Sequence, residues 1–149
     1  MSHRVTLIPG DGVGPEITAA TRRVIEATGV SIEWEEAIAG EAVFRAGDSS
    51  GVPQETADSI ARTGVALKGP LATPICFGEK SANVTLRKLF DTYANLLPAR
   101  QIPGVPTRYD GEGVDFIVVS ENIEDLYAGV EYMDSRDVAV AMKIISRRG

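Results

Sequence analysis

Several features that define other classes of protein are scarce in this sequence. The single cysteine, Cys76, excludes an intramolecular disulfide framework, and one cysteine fits a reducing compartment, so a cytoplasmic location is expected. No apolar run reaches the roughly 18 residues that a membrane span needs. Lys and Arg total 15 against 21 Asp and Glu, a net charge of −6. Proteins that bind nucleic-acid phosphates carry a basic excess, so neither a membrane nor a nucleic acid is an expected partner.

What is present is the composition of a globular protein, with 44% hydrophobic and 24% charged residues. A chain of 149 residues suffices for one domain, or for one modest domain with a lobe attached. An apolar strand at 5–8 leads into a glycine turn and then into a helix that Pro15 opens and Gly29 ends. Strand-like and helix-like segments continue to alternate, which predicts the α/β class with a parallel sheet covered by helices.

Hydrophobic periodicity and the positions of proline and glycine predict the remaining elements. They are a strand at 31–36, helices at 40–46 and 53–64, a strand at 65–67, a helix at 82–93, an extended segment at 94–100 and a strand at 114–119. Residues 120–129 fit neither a regular helix nor a regular strand. The apolar tail at 138–145 fits either one.

Two segments are candidates for binding an anionic ligand. The turn Gly10-Asp11-Gly12-Val13-Gly14 has the spacing G-x-G-x-G rather than G-x-G-x-x-G, so a tight connection and a ligand loop remain equally open. Ser81 and Asn83 lie at a predicted helix N-terminus, with Arg87 four residues after Asn83 on the same side. A hydroxyl, an amide and a guanidinium there can hold a carboxylate. Spacing alone favours the other interpretation, a capping serine, a solvated amide and an arginine in a surface ion pair.

The third candidate is the acidic segment 120–129, directly after the predicted strand at 114–119. Carboxyl ends of strands are favoured positions for sites in open α/β folds. Glu121, Glu124 and Asp125 place three carboxylates in five residues, which would suit a cation if their oxygens converge. A solvated acidic turn is the alternative.

The chain carries four motifs in the order in which the isocitrate and isopropylmalate dehydrogenase family has them, and it resembles that family over essentially its whole length. The motifs are Ile8-Pro-Gly-Asp-Gly-Val-Gly-Pro-Glu-Ile17, Lys68-Gly-Pro-Leu71 with Thr73-Pro74, Lys80-Ser-Ala-Asn-Val-Thr-Leu-Arg87, and Glu121-Asn122 with Glu124-Asp-Leu-Tyr-Ala-Gly129. The pair Ser81 and Asn83 resembles the isocitrate branch. Members of this family are homodimeric β-decarboxylating dehydrogenases that use NAD or NADP and Mg²⁺ or Mn²⁺, with active sites shared between subunits.

The resemblance implies roles for individual residues. Ser81, Asn83 and Arg87 would hold the γ-carboxylate of isocitrate, and Tyr127 would be the catalytic tyrosine that donates a proton after decarboxylation. The cofactor would lie against the glycine turn, where Gly12 and Val13 would contact it, and against the loop at 69–73, where Leu71 and Thr73 would contact it.

The chain also departs from the family pattern. The family has arginines where this chain has Leu97 and Ser120, and both would face the remaining carboxylates of the substrate. The stretch 142–148 resembles the middle of a family member, so the catalytic lysine, the metal-binding aspartates and the loop that grips the adenosine are expected to be absent. No metal site is therefore expected, and neither NAD(P) nor a divalent cation is expected to bind tightly unless the chain is part of a complete enzyme.

Three functional hypotheses follow. The favoured one is a shortened, catalytically inactive relative retained as a binding or regulatory module. The second is a piece of a dehydrogenase for isocitrate or for a hydroxyacid with fewer carboxylates. The third is a half-enzyme completed by a separate chain. The expected fold is a partial large α/β domain at 1–99 with strands of a small, clasp-forming lobe at 100–149. Its incomplete sheet predicts a homodimer or a protein partner.

Overall fold

A computed structural model describes residues 2–74 and 81–147 of the chain. Cys76 and Lys80, which the sequence analysis singled out, lie outside the described residues. The chain divides into two units, Met1–Phe90 and Asp91–Gly149. The division comes before the boundary predicted at 99, because residues 94–100 pair with a later strand and so belong with the second unit.

The first unit is the predicted α/β arrangement. Its elements are β1 (His3–Ile8), α1 (Gly14–Ala27), β2 (Ile32–Glu36), α2 (Glu41–Arg45), α3 (Gln54–Thr63), β3 (Ala66–Lys68) and α4 (Ala82–Leu89). The three strands form a parallel sheet in the order β2-β1-β3. The α/β class and the parallel sheet predicted from the alternation of segments are therefore confirmed.

The core of the first unit lies between the carboxyl half of β1 and the helices α3 and α4. Thr6, Leu7 and Ile8 are buried, and Ile8 packs in a cluster with Ile60 of α3 and Leu86 of α4. Thr6 is buried as a polar residue because its hydroxyl bonds to the hydroxyls of Ser59 and Thr63, both at 2.8 Å. This core fixes the carboxyl end of β1 and the start of α4 in one body.

Two helices differ in detail from what the local sequence predicts. The helix predicted at 82–93 ends earlier, at Leu89, because Asp91 has a φ of 53° and cannot continue a right-handed helix. In α1 the apolar spacing correctly predicts a helix, but the residues buried in it are Gly14 and Thr18. Ile17 and Val24 remain exposed, Val24 by 68%. The described chain therefore leaves part of the apolar side of α1 uncovered.

The second unit consists of two antiparallel hairpins and a short turn. Strand β4 (Ala94–Arg100) pairs with β5 (Asp115–Glu121), and β6 (Glu131–Ser135) pairs with β7 (Val138–Ala141). The 3₁₀ turn Leu126–Ala128 follows β5. The start of the ambiguous tail at 138–145 is thus a strand and not a helix, because it pairs with β6. Among the described residues, no helix has the length and apolar character required to cross a membrane.

Candidate functional site

The glycine turn after β1 is fastened to two other segments by the side chain of Asp11. Oδ2 of Asp11 accepts hydrogen bonds from the backbone N–H groups of Glu41 at 3.0 Å and Ala72 at 2.7 Å. The backbone N–H of Asp11 donates to the carbonyl of Pro70 at 2.7 Å. One carboxylate therefore holds together the turn, the start of α2 and the loop that follows β3.

The close approach of the two backbones requires glycine on both sides. A Cβ on Gly10, which has a φ of 82°, would lie 2.2 Å from the carbonyl oxygen of Pro70, and a Cβ on Gly69 would lie 2.0 Å from that of Pro9. Gly12 differs from both, because a Cβ there would meet nothing within 4 Å. Gly12 and Val13 are exposed at the tip of the turn. Gly10 and Gly69 are thus needed for the close packing of the two backbones, and Gly12 has open space in front of it.

The start of α4 joins the same region through Asn83. Its Nδ2 donates to the carbonyl of Leu71 at 3.4 Å and lies 3.5 Å from the hydroxyl of Ser81. Leu71 packs against the core cluster, and Thr73 is half-buried in the same loop. Ser81, Asn83 and Leu71, singled out separately in the sequence, are therefore neighbours in the structure.

Ser81 occupies the predicted N-cap position, but it caps the helix only through its backbone. Its carbonyl accepts the N–H of Thr85 at 3.0 Å. Its hydroxyl makes no capping hydrogen bond with the part of the chain that the structure describes. The hydroxyl accepts the long bond from Asn83, and its own proton can be donated to an anion at the helix N-terminus, where backbone N–H groups favour anions.

Lys68 belongs to the motif Lys68-Gly-Pro-Leu71, but the sequence alone predicted no binding role for it. It ends β3, and its Nζ donates to the carbonyl of Gly69 at 3.0 Å. Desolvation of its ammonium group and, secondarily, the guanidinium of Arg87 lower the pKa of Lys68. The positive charge of Arg87 in α4 therefore acts on Lys68 at the end of β3, in a chain with a net charge of −6. The signal available in the sequence was its position at the carboxyl end of a strand.

The acidic segment after β5 is ordered by its own carboxylates. Glu121 accepts the backbone N–H groups of Ile123 at 2.9 Å and Glu124 at 2.8 Å. Burial raises the pKa of Glu121, but these backbone hydrogen bonds outweigh that effect, and the net pKa is lower than usual. Glu124 accepts the N–H and the hydroxyl of Ser146, both at 2.6 Å. In residues 2–74 and 81–147, no group of three or more His, Cys, Asp or Glu side chains is arranged to hold a metal.

Tyr127 lies in the 3₁₀ turn of the second unit, with its side chain exposed, whereas Ser81, Asn83 and Arg87 lie in the first unit. Its backbone N–H donates to the carbonyl of Glu124 at 3.0 Å.

The two positions that depart from the family pattern share one face of the β4–β5 hairpin. Leu97 pairs with Val118, and Asn95 pairs with Ser120. Because side chains alternate along a strand, Leu97 and Ser120 project from the same face as diagonal neighbours. The surface at these two positions is therefore apolar and hydroxylic rather than cationic.

Comparison with known proteins tests the resemblance. A sequence model of the isocitrate/isopropylmalate dehydrogenase family matches residues 4–149. The chain belongs to this family. The NADP isocitrate dehydrogenase of Thermus thermophilus is 58% identical over 145 residues, which are 97% of this chain and 29% of that protein. A mitochondrial regulatory subunit of NAD isocitrate dehydrogenase from Dictyostelium discoideum is 44% identical over 96% of this chain and 38% of the relative.

A solved structure gives the same result. The crystal structure of isocitrate dehydrogenase from Methylococcus capsulatus superposes with a TM-score of 0.86 at 41% identity, covering 98% of this chain and 43% of that chain. The predicted family and the predicted partial α/β fold of that family are therefore confirmed. The chain spans less than half the length of each of these relatives.

Proposed function

We propose that this chain is an isocitrate dehydrogenase-like binding module that holds a polycarboxylate and does not by itself oxidise it. The observation that carries the proposal is the start of α4, where the Asn83 amide bonds to the Leu71 carbonyl at 3.4 Å and lies 3.5 Å from the Ser81 hydroxyl. Desolvation and, secondarily, the charge of Arg87 lower the pKa of Lys68 at the end of β3, and a bound anion would oppose both effects. The hydroxyl of Ser81 and the amide of Asn83 at this helix start supply the hydrogen-bond donors that a carboxylate needs.

Other residues of the module have roles that the family membership suggests. Gly12 and Val13 at the tip of the first turn, with Leu71 and Thr73 in the loop tied to it through Asp11, would lie against a nicotinamide nucleotide. The open space in front of Gly12 supports this assignment. That cofactor would supply hydride acceptance, and the described residues would only bind and orient it. Tyr127 would present its phenolic hydroxyl as a proton donor.

The face that carries Leu97 and Ser120 supports the proposed inactivity. Isocitrate has three carboxylates, and a pocket for a trianion needs cationic side chains. Loss of one partner of a buried charge pair costs about 2–5 kcal/mol. Two such losses would lower transition-state binding by several orders of magnitude.

A protein partner or a second copy of the chain is part of the proposal, as is a reducing, cytoplasmic environment. Apolar residues are exposed on both faces of the β4–β5 hairpin, among them Leu96, Leu97, Phe116 and Val119. Uncovered apolar surface of this kind is typical of an interaction site. A regulatory subunit among the relatives supports a non-catalytic role for members of this family.

Calorimetric titration with isocitrate, citrate and NAD⁺ tests the binding claim. We expect isocitrate to bind and the variants Lys68→Met and Arg87→Met each to weaken it at least about tenfold, since a charged hydrogen bond contributes about 1.5–3 kcal/mol. Arg23→Met, which removes a charge from the exposed surface of α1, is the matched control and should bind like the unmodified chain. Equal affinity in all four proteins, or no binding at all, would contradict the proposal.

Turnover is measured separately, with isocitrate, NAD⁺ or NADP⁺, and Mg²⁺. We expect no reduction of the nucleotide by this chain alone. Reduction at a rate normal for an enzyme would reject the inactive module and leave the dehydrogenase interpretation.

The alternative function is a part of an NAD(P)-dependent dehydrogenase for isocitrate or a related hydroxyacid. The observation that favours it is the shared face of Leu97 and Ser120, which suits a substrate with fewer carboxylates. On this alternative, the chain should prefer a dicarboxylic hydroxyacid such as malate to isocitrate. Adding malate to the titration distinguishes the two, because the binding module proposed above prefers the tricarboxylate.

A further inference from the structure

The turn that carries Tyr127 has an unusual backbone. The N–H of Tyr127 donates to the carbonyl of Glu124 at 3.0 Å, which closes a four-residue turn with Asp125 in its second position. Asp125 has φ 58° and ψ −132°. This combination is that of a type II′ turn, whose second position is normally glycine because a Cβ is disfavoured there. Only Asp91 and Asp125 combine a positive φ with a side chain among the described residues.

Contacts with the segment after β7 hold this strained conformation in place. The N–H of Asp125 donates to the carbonyl of Ile144 at 2.8 Å, and the N–H of Ile144 lies 3.4 Å from the carbonyl of Asp125. Oδ2 of Asp125 forms an ion pair with Nζ of Lys143 at 2.9 Å. The turn is therefore fastened by its backbone and by its side chain to two consecutive residues.

A carboxylate oxygen without a hydrogen bond sets Asp125 apart from the neighbouring acidic residues. Both oxygens of Glu121 and both of Glu124 accept hydrogen bonds. Oδ1 of Asp125 is buried and accepts none from the described residues. A glycine would adopt the same backbone without strain and without burying a carboxylate oxygen. The aspartate is thus unfavourable for the turn alone, and its contribution is the link to Lys143.

We propose that Asp125 is a positioning residue that fixes Tyr127 by clamping the strained turn at 124–127 to Lys143 and Ile144. The inference rests on the role proposed for Tyr127, since orienting its phenol matters only if that hydroxyl acts. Asp125 itself transfers no proton. In the clamped turn, the backbone of Tyr127 has one conformation, and removal of either side of the ion pair lets the turn sample others.

The test uses the whole chain labelled with 3-fluorotyrosine. Its four tyrosines give separate ¹⁹F resonances, and Tyr127→Phe identifies the one that belongs to Tyr127. We expect Asp125→Asn and Lys143→Met each to move this resonance toward the position of the free amino acid and to broaden it. The amide of Tyr127 should exchange its hydrogen about threefold faster or more, as loss of a partly exposed ion pair implies. Asp137→Asn, a carboxylate removed between β6 and β7, should change neither signal.

Two results would overturn the proposal. The first is an unchanged Tyr127 resonance in Lys143→Met, a variant that leaves the turn itself intact. The second is Asp125→Gly with the resonance and the exchange rate of the unmodified chain, because the side chain would then contribute nothing to position. Both measurements are made without ligand. A failure of the binding titrations therefore rejects the proposed function and leaves this clamp to be judged by its own data.

Discussion

Glu35 illustrates at the residue scale how a charged side chain is fixed at the edge of the core. Its Oε2 accepts hydrogen bonds from Arg62 and, at 3.0 Å, from the hydroxyl of Ser59, which in turn bonds to the buried hydroxyl of Thr6. The hydrogen bond from Arg62, followed by the one from Ser59, lowers the pKa of Glu35 below its usual value of 4.5. The charged form is therefore the one that the folded state stabilises.

This lowered pKa predicts a pH dependence. Because the folded-state pKa lies below the unfolded one, ionised Glu35 stabilises the fold above pH 4.5, and this contribution is lost as the pH falls through the folded-state pKa. We expect Glu35→Gln to lower the thermal midpoint at pH 7 and to lower it progressively less below pH 4.5. Thermal unfolding of both proteins between pH 7 and 3 measures the difference.

Glu33→Gln, on the same strand, serves as the control for Glu35→Gln and should show no such convergence. A constant difference between Glu35→Gln and the unmodified chain across the whole pH range would contradict the account of Glu35.

At the scale of elements, the N-cap residue of α4, Ser81, allows an effect on stability to be separated from an effect on binding. Substitution of an N-cap serine normally costs about 1 kcal/mol because its hydroxyl bonds to a helix N–H. Among the described residues, the hydroxyl of Ser81 makes no such bond. The Ser50 hydroxyl, in contrast, bonds to the Asp48 carboxylate at 2.6 Å and to the Val52 carbonyl at 2.9 Å.

These two serines therefore give opposite predictions. We expect Ser81→Ala to change the thermal midpoint little and to weaken isocitrate binding, since the hydroxyl serves the ligand rather than the helix. We expect Ser50→Ala to lower the midpoint and to leave the affinity unchanged. Calorimetry and thermal unfolding on both variants measure the four values. A destabilised Ser81→Ala protein with normal affinity would return Ser81 to a purely structural role.

The element boundaries show which features of the secondary structure local sequence patterns can predict. Pro15 and Gly29 bracket α1 as the sequence predicts, because proline and glycine act on the backbone of their own neighbourhood. The end of α4 at Leu89 was missed, since an aspartate carries no comparable signal for a positive φ. The tail at 138–145 was ambiguous for another reason. Its strand conformation depends on pairing with β6, and the periodicity of the tail gives no information about that pairing partner.

At the scale of the whole molecule, exposed apolar surface predicts association. Leu96 and Val119 form a cross-strand pair on one face of the β4–β5 hairpin and are 62% and 66% exposed. Burial of such side chains contributes about 25 cal/mol for each Å² removed from water. We expect the purified chain to form a dimer or a larger species, and Leu96→Lys to shift it toward monomer. Light scattering coupled to size-exclusion chromatography measures both.

Asp115→Lys places the same charge at a position of the hairpin that is already polar, and it should leave the dimer or larger species intact. A stable monomer of the unmodified chain at micromolar concentration would contradict the prediction.

The sequence by itself determined the α/β class, the order of the elements in the first unit and the family, because these depend on local periodicity, on the positions of proline and glycine, and on short motifs. Tertiary structure alone decided that the charge of Arg87 acts on Lys68, that Asp11 fastens three segments together, and that Glu124 binds the backbone N–H and the hydroxyl of Ser146. Each of these depends on residues distant in the chain, brought together by strand pairing and core packing. Spacing along the sequence fixes which side chains share an element, but not which elements meet.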